Sequence, residues 1–208
     1  MQIFHHLKFI FKKIIFQDSY LKSLSITEAD LIQMLEGKSV ALVGNSRQLG
    51  KQAYGADIDA HHIVIRLNDA PTVSKISHGD KTDWLALAKR SSTKILFEKQ
   101  PAVLLWMPTK RNKLSWPMVN FSKFFLNSIQ RNKRLRHTLK APPSVGCMVV
   151  DILRISKASR ISLFGFDFFK SRSLSGTRGI TQVPHDFKAE SHFLKSLLAK
   201  DQRFKLYE

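Results

Sequence analysis

One cysteine, Cys147, is all that the 208 residues contain, so no disulfide can close within the chain and a reducing compartment is its natural setting. Acid is scarce as well: 16 Asp and Glu stand against 34 Lys and Arg, a formal net charge of +18. That balance calls for an anionic partner, whether nucleic acid, an acidic membrane surface or a negatively charged substrate, without choosing among them. The shortage is sharpest from Lys99 to Val150, where ten Lys or Arg occur with no acidic residue. This stretch reads either as a surface that meets an anionic acceptor or lipid, or as a solvated basic face. Long uninterrupted apolar runs are missing too. Residues 1 to 16 are broken by Lys8, Lys12 and Lys13, so neither a signal peptide nor a membrane span is expected. The glycine fingerprints of nucleotide binding also fail. From Gly44 the next glycines are Gly50 and Gly55, which rules out G-x-G-x-x-G; Gly50-Lys51 comes one residue late for a P-loop, and Gln52 stands where a magnesium-binding Ser or Thr would be needed.

What is present points to an α/β domain. Val40 to Val43 is a short β-branched run broken by Gly44-Asn45-Ser46, the pattern of a buried strand entering a polar turn, and such strand ends bind ligands in open α/β sheets. Further strands are expected at Trp84 to Ala88, Lys94 to Phe97, Ala102 to Trp106 (fully apolar, hence central) and Ile161 to Phe164. A short helix capped near Thr27 precedes the first strand and ends at Gly37. After Pro142-Pro143, Ser144 caps a helix whose buried face is Cys147, Met148, Val149, Ile152 and Leu153, and whose free N–H groups suit a carboxylate or phosphate. At the N-terminus, Ile3, Leu7, Ile10 and Ile14 share one helical face, either lying on anionic lipid or packed on the domain's own core.

Three stretches resemble the animal-type sialyltransferase family. Val43-Gly44-Asn45-Ser46, Tyr54-Gly55-Ala56-Asp57-Ile58-Asp59 and Val64-Ile65-Arg66-Leu67-Asn68-Asp69-Ala70-Pro71 are similar to its long motif, with Gly79 to Asp83 continuing it. Pro143-Ser144-Val145-Gly146, followed by an apolar helix and Leu163-Phe164-Gly165-Phe166, is similar to the short motif. His185, five residues before Glu190, has the spacing of the very short motif, whose histidine is the general base.

The resemblance implies a single Rossmann-like domain of GT-A-variant type over residues 37–208, with a mostly parallel sheet flanked by helices, preceded by amphipathic, basic helices over 1–36. It implies inverting transfer of a sialic acid-like sugar acid from a CMP donor to a glycan hydroxyl, with Kdo transfer onto lipopolysaccharide or capsule as the alternative. His185 would be the base, at a helix start that disfavours imidazolium. Gly44, Asn45, Ser46, Asn68, Ser144, Val145, Gly146 and Gly165 would bind the nucleotide and donor, with Glu190 and Arg66 in support. Gly146 would admit a close ligand. A CMP donor has one phosphate, so no metal and no cofactor is expected, and Asp57-Ile58-Asp59 reads as structural.

The sequence also departs from the family. Val40 stands where the first cysteine of a luminal disulfide usually sits, which fits a bacterial relative in the cytoplasm or peripheral at the inner face of a membrane. No histidine lies between Asp167 and Val183 to meet the departing phosphate; Lys170, Arg172 or Arg178 are the candidates to replace it, and Ser175 to Gly179 reads as a closing loop. Two readings of other classes remain: a basic nucleic-acid-binding module, which no zinc, helix-turn-helix or RNA-binding signature supports, and a noncatalytic membrane-surface scaffold.

Overall fold

The computed structural model describes residues 2–69, 71–121, 123–167, 174 and 183–207, and for Gln2, Ile3 and Gln17 the backbone alone. In chain order the elements are α1 (Gln2–Ser23), α2 (Glu28–Leu35), β1 (Ser39–Val43), α3 (Gly55–Asp59), β2 (Ile63–Leu67), α4 (Lys75–His78), β3 (Trp84–Leu87), α5 (Thr93–Lys99), β4 (Val103–Trp106), α6 (Trp116–Val119), β5 (Lys123–Leu126), α7 (Ile129–Leu139), α8 (Val145–Leu153), β6 (Arg160–Phe164), α9 (Phe187–Lys200) and β7 (Phe204–Tyr207). The strands form one sheet in the order β5-β4-β3-β2-β1-β6-β7, and every pairing is parallel. β1 to β4 are buried along their whole length, as strands covered on both faces should be, and only Ser39 of β1 and Arg66 of β2 interrupt their apolar sequence.

Side-chain alternation splits the interior. One cluster joins Leu42, Ile65, Trp84 and Leu105 to α2, α7, α8 and α9; a second joins Leu85, Leu104, Trp106 and Phe124 to Phe9 and Leu21 of α1; a third holds Val43, Val64 and Phe164 under Leu49 and Ile58. The N-terminal helices thus pack on the same sheet as everything that follows, and Ile26 bridges to Phe125 beside β5.

Local signals explain most elements. Thr27 caps α2 and Asp30 reciprocates in a capping box. Ser144 Oγ accepts from Cys147 N at 3.2 Å to start α8. The segment Lys94 to Phe97, expected as a strand, is instead inside helix α5: Ser92 Oγ accepts from Ile95 N, Gln100 closes the helix in the left-handed region, and only Leu96 is buried. β4 is interior, as its apolar run requires, but lies one place from the β5 edge rather than at the centre, which β2 occupies. β5 and β7 were not anticipated; each is four residues long at a sheet edge.

Candidate active site

The chain lays down β1 through β5 in one direction across the sheet and then returns to place β6 on the other side of β1. A doubly wound sheet opens a crevice at such a reversal, outside the carboxyl ends of its strands. The cleft found there has a volume of about 1030 Å³. Gly44, Asn45 and Ser46 enter it from the end of β1, Asn68 from β2 and Gly165 from β6. Their side chains also fasten the strand ends to one another. Asn45 Nδ2 donates to the Leu67 carbonyl at 3.2 Å, Asn68 Oδ1 accepts from Ala88 N at 3.0 Å, and Ser46 Oγ donates to Asp167 Oδ2 at 2.8 Å. Asn68 has φ 54°, a left-handed turn that asparagine tolerates better than most residues. Gly165, at φ +68°, turns its carbonyl onto Gly44 so closely that a Cβ at position 44 would collide with it.

The opposite wall is the start of α8 braced against the start of α9. Glu190, 6% exposed, accepts from Ser144 N and from Ser144 Oγ, each at 2.6 Å. Five residues earlier, His185 Nδ1 lies 2.8 Å from the Pro142 carbonyl. A carbonyl only accepts, so Nδ1 carries the proton of this contact, and whenever the ring is neutral its lone pair is on Nε2. His185 stands at the start of α9, one residue before its N-cap, Asp186, which accepts from Lys188 N and Ala189 N, both at 3.0 Å. That carboxylate, rather than the imidazole, meets the helix end. Burial pushes the Glu190 carboxyl above its ordinary value, against the Ser144 hydrogen bonds and the charge of His185, which pull it down, and with Asp186, which adds to the rise.

The contacts at Ser144 refine its expected part. Its amide and hydroxyl are engaged by Glu190 and its Oγ accepts from Cys147 N, while Val145 and Gly146, the first two residues of α8, line the cleft. The close approach that Gly146 allows is taken by the Phe166 ring, which a Cβ would meet at 2.8 Å.

Arg66 is elsewhere. Only 1% exposed, it donates through Nε to the Lys81 carbonyl and Thr82 Oγ1 and through Nη2 to the His78 carbonyl, pinning the segment after α4 beneath β2. Asp59 accepts from Asp80 N and Lys81 N at 2.9 and 3.0 Å, so this half of Asp57-Ile58-Asp59 is structural. Among the described residues no group of three or more His, Cys, Asp or Glu could hold a metal, and no helix is long and apolar enough to cross a membrane. Lys170, Arg172, Arg178 and the Ser175 to Gly179 loop lie outside the described residues, as does Ala70.

The sequence reading had not placed Lys89, Lys110, Asn132 and Arg136 in the cleft, which all four line. Lys89 and Lys110 follow the ends of β3 and β4, so the rule that parallel strand ends face the ligand would have found them once those strands were assigned.

Comparison with known proteins places this architecture. Residues 6–102 match the family model of glycosyltransferase family 29 (sialyltransferase). The human CMP-N-acetylneuraminate-beta-galactosamide-alpha-2,3-sialyltransferase 1 is 38% identical over 60 residues, 26% of this chain and 18% of that protein. The mouse alpha-2,3-sialyltransferase 2 is 23% identical over 198 residues, 80% of this chain and 56% of the relative. The chain thus spans about half or less of the length of these curated relatives. A mammalian sialyltransferase structure has a TM-score of 0.62 at 18% identity, covering 86% of this chain and 77% of its own. The sialyltransferase CstII from Campylobacter jejuni, solved with cytidine-5'-monophosphate, has a TM-score of 0.56 at 17% identity, covering 83% and 79%. At such identities the structures establish a shared fold.

Proposed function

We propose, from the premise that this chain resembles glycosyltransferase family 29 (sialyltransferase) in sequence and in fold, that it transfers a sugar from a CMP-activated donor with His185 as general base. One observation carries the reading. His185 lines the cleft that the strand ends and the α8 start share, and its Nδ1 contact with the Pro142 carbonyl puts the lone pair of the neutral ring on Nε2. In this mechanism Nε2 takes the proton of an acceptor hydroxyl, the acceptor oxygen bonds to the anomeric carbon, and the bond from that carbon to the phosphate oxygen breaks. CMP departs from the opposite face, and the configuration inverts. The amides of Val145 and Gly146, at the positive end of α8, suit the donor's carboxylate or phosphate. Asn45 and Asn68 stand at the strand ends where the nucleotide would lie. A single departing phosphate requires no metal or cofactor in this scheme.

The donor fitting this scheme is a sialic acid-like 2-keto sugar acid; Kdo, with the same carboxylate beside its anomeric carbon, is the alternative. The acceptor is a glycan hydroxyl on a cell-surface precursor such as lipopolysaccharide or capsule, built at the cytoplasmic face of a membrane. No nucleic acid takes part. The test is one variant measured two ways, with both donors. His185→Ala is expected to bind CMP as the parent does and to transfer sugar roughly 100- to 10,000-fold more slowly, the range for losing general-base assistance. Full transfer by a stably folded His185→Ala protein would leave the scheme without its base.

A further inference from the structure

Helix α1 is apolar on two sides, and the fold uses one of them. Phe9 is buried against the sheet and Lys13 Nζ donates to the Leu114 carbonyl at 2.8 Å, while nearer the helix end Leu21 is buried and Arg111 Nε meets Asp18 Oδ1 at 2.9 Å. Phe9 and Lys13 fix how the first turns are rotated. Turned the other way are Phe4, Leu7, Phe11, Ile14 and Ile15, which recur at helical spacing and are each more than half exposed, Phe4 at 70% and Ile14 at 67%. Large apolar side chains gathered on one exposed face mark an interaction surface.

We infer that this face docks on an anionic lipid bilayer, and charge is what selects that occupant. Before Asp18 the chain has no acidic residue, and Asp18 is held by Arg111 and Lys22. Lys8 lies exposed beside the stripe. Next to the helix, where Lys13 is anchored, Arg90 Nε donates to the Lys113 carbonyl at 3.4 Å, and Arg90, Lys110 and Lys113 are all exposed. Burial, and after it the nearby Arg90 charge, lowers the Lys13 pKa. A second copy laid on the same stripe would bring like charges together on two molecules of +18, whereas anionic headgroups neutralise them. Arg111, which holds α1 through Asp18, also donates to the Pro108 carbonyl at 2.8 Å, and Pro108 to Lys110 line the cleft. A docked α1 therefore keeps that rim of the cleft close to the bilayer, within reach of an acceptor embedded in it.

Sedimentation of the full chain with vesicles tests this without recourse to transfer activity. Binding is expected to vesicles of phosphatidylcholine and phosphatidylglycerol in equal parts at low salt, and not to phosphatidylcholine alone. Phe11→Glu together with Ile14→Glu is expected to weaken binding by more than about tenfold, and Lys8→Gln by about fivefold, with melting temperatures and CMP affinity unchanged. Equal binding by the double variant, equal binding to neutral vesicles, or a lipid-free dimer that the double variant dissociates would each overturn the inference. So would loss of CMP binding in that variant, since the stripe would then belong to the fold.

Discussion

At the scale of residues, Glu190 gives the two walls of the α8–α9 corner a common fastening, because one buried carboxyl meets both the amide and the hydroxyl of Ser144. Its raised pKa has a stability consequence. A carboxyl that holds its proton more tightly folded than unfolded makes the native state lose stability as pH rises from about 4.5, the ordinary value, through the raised one. Glu190→Gln keeps the shape without the titration. The melting temperature of the parent relative to this variant is therefore expected to fall over that window; a flat or rising difference would mean that Ser144 outweighs burial. Turnover of Glu190→Gln is expected to drop less than that of His185→Ala, since Glu190 acts through Ser144 and the corner. Cys147, 6% exposed beneath the same corner, has its thiol pushed well up by burial and by the Glu190 and Asp151 carboxylates, which marks it as a packing residue.

At the scale of elements, the Arg131 guanidinium joins three helices. From α7 it reaches Asp151 of α8 at 3.0 Å and Glu28 of α2 at 2.6 Å, with its own side chain 8% exposed. Removing it leaves buried Asp151 with Arg154 alone and turns Glu28, 45% exposed, to water, so Arg131→Ala is expected to lower unfolding stability by about 1 to 3 kcal/mol in urea titrations. Arg136→Ala, on the exposed side of α7, is expected to change it by less than about 0.5 kcal/mol. The legibility of elements followed how much of their identity is local. β1, β3, β6, α2 and α8 were readable because an apolar run or a cap lies within or beside the element itself. α5 was misread because Ile95-Leu96-Phe97 looks like a strand core. The contrary signals were the Ser92 cap and the i,i+4 pair of Lys94 with Glu98. β5 and β7 each hold a lysine, Lys123 and Lys205, so they lack the unbroken apolar run by which the equally short β3 and β4 were readable. In the site, the strand-end residues and His185 stood out through their motifs. The Glu190–Ser144 pairing and the Phe166–Gly146 contact arise only when segments far apart in sequence meet.

At the scale of the whole molecule, a ligand that binds only the folded state stabilises all of it. CMP at about a hundred times its dissociation constant is expected to add roughly 2.7 kcal/mol. For a chain of this size that raises the melting temperature by about 5 to 11 °C. No shift at saturating CMP, read by calorimetry or dye fluorescence, would contradict nucleotide binding at the strand ends. The arrangement of the sheet also governs the life of the chain before it is folded. β1 has β2 on one side and β6 on the other, and its partners in β6 lie more than a hundred residues downstream. During synthesis at about 5 to 20 residues per second, one edge of this buried strand waits roughly 6 to 24 seconds for its neighbour to emerge. Over that interval the nascent protein displays, at its future centre, an unpaired hydrophobic edge that a chaperone can shield or another chain can capture.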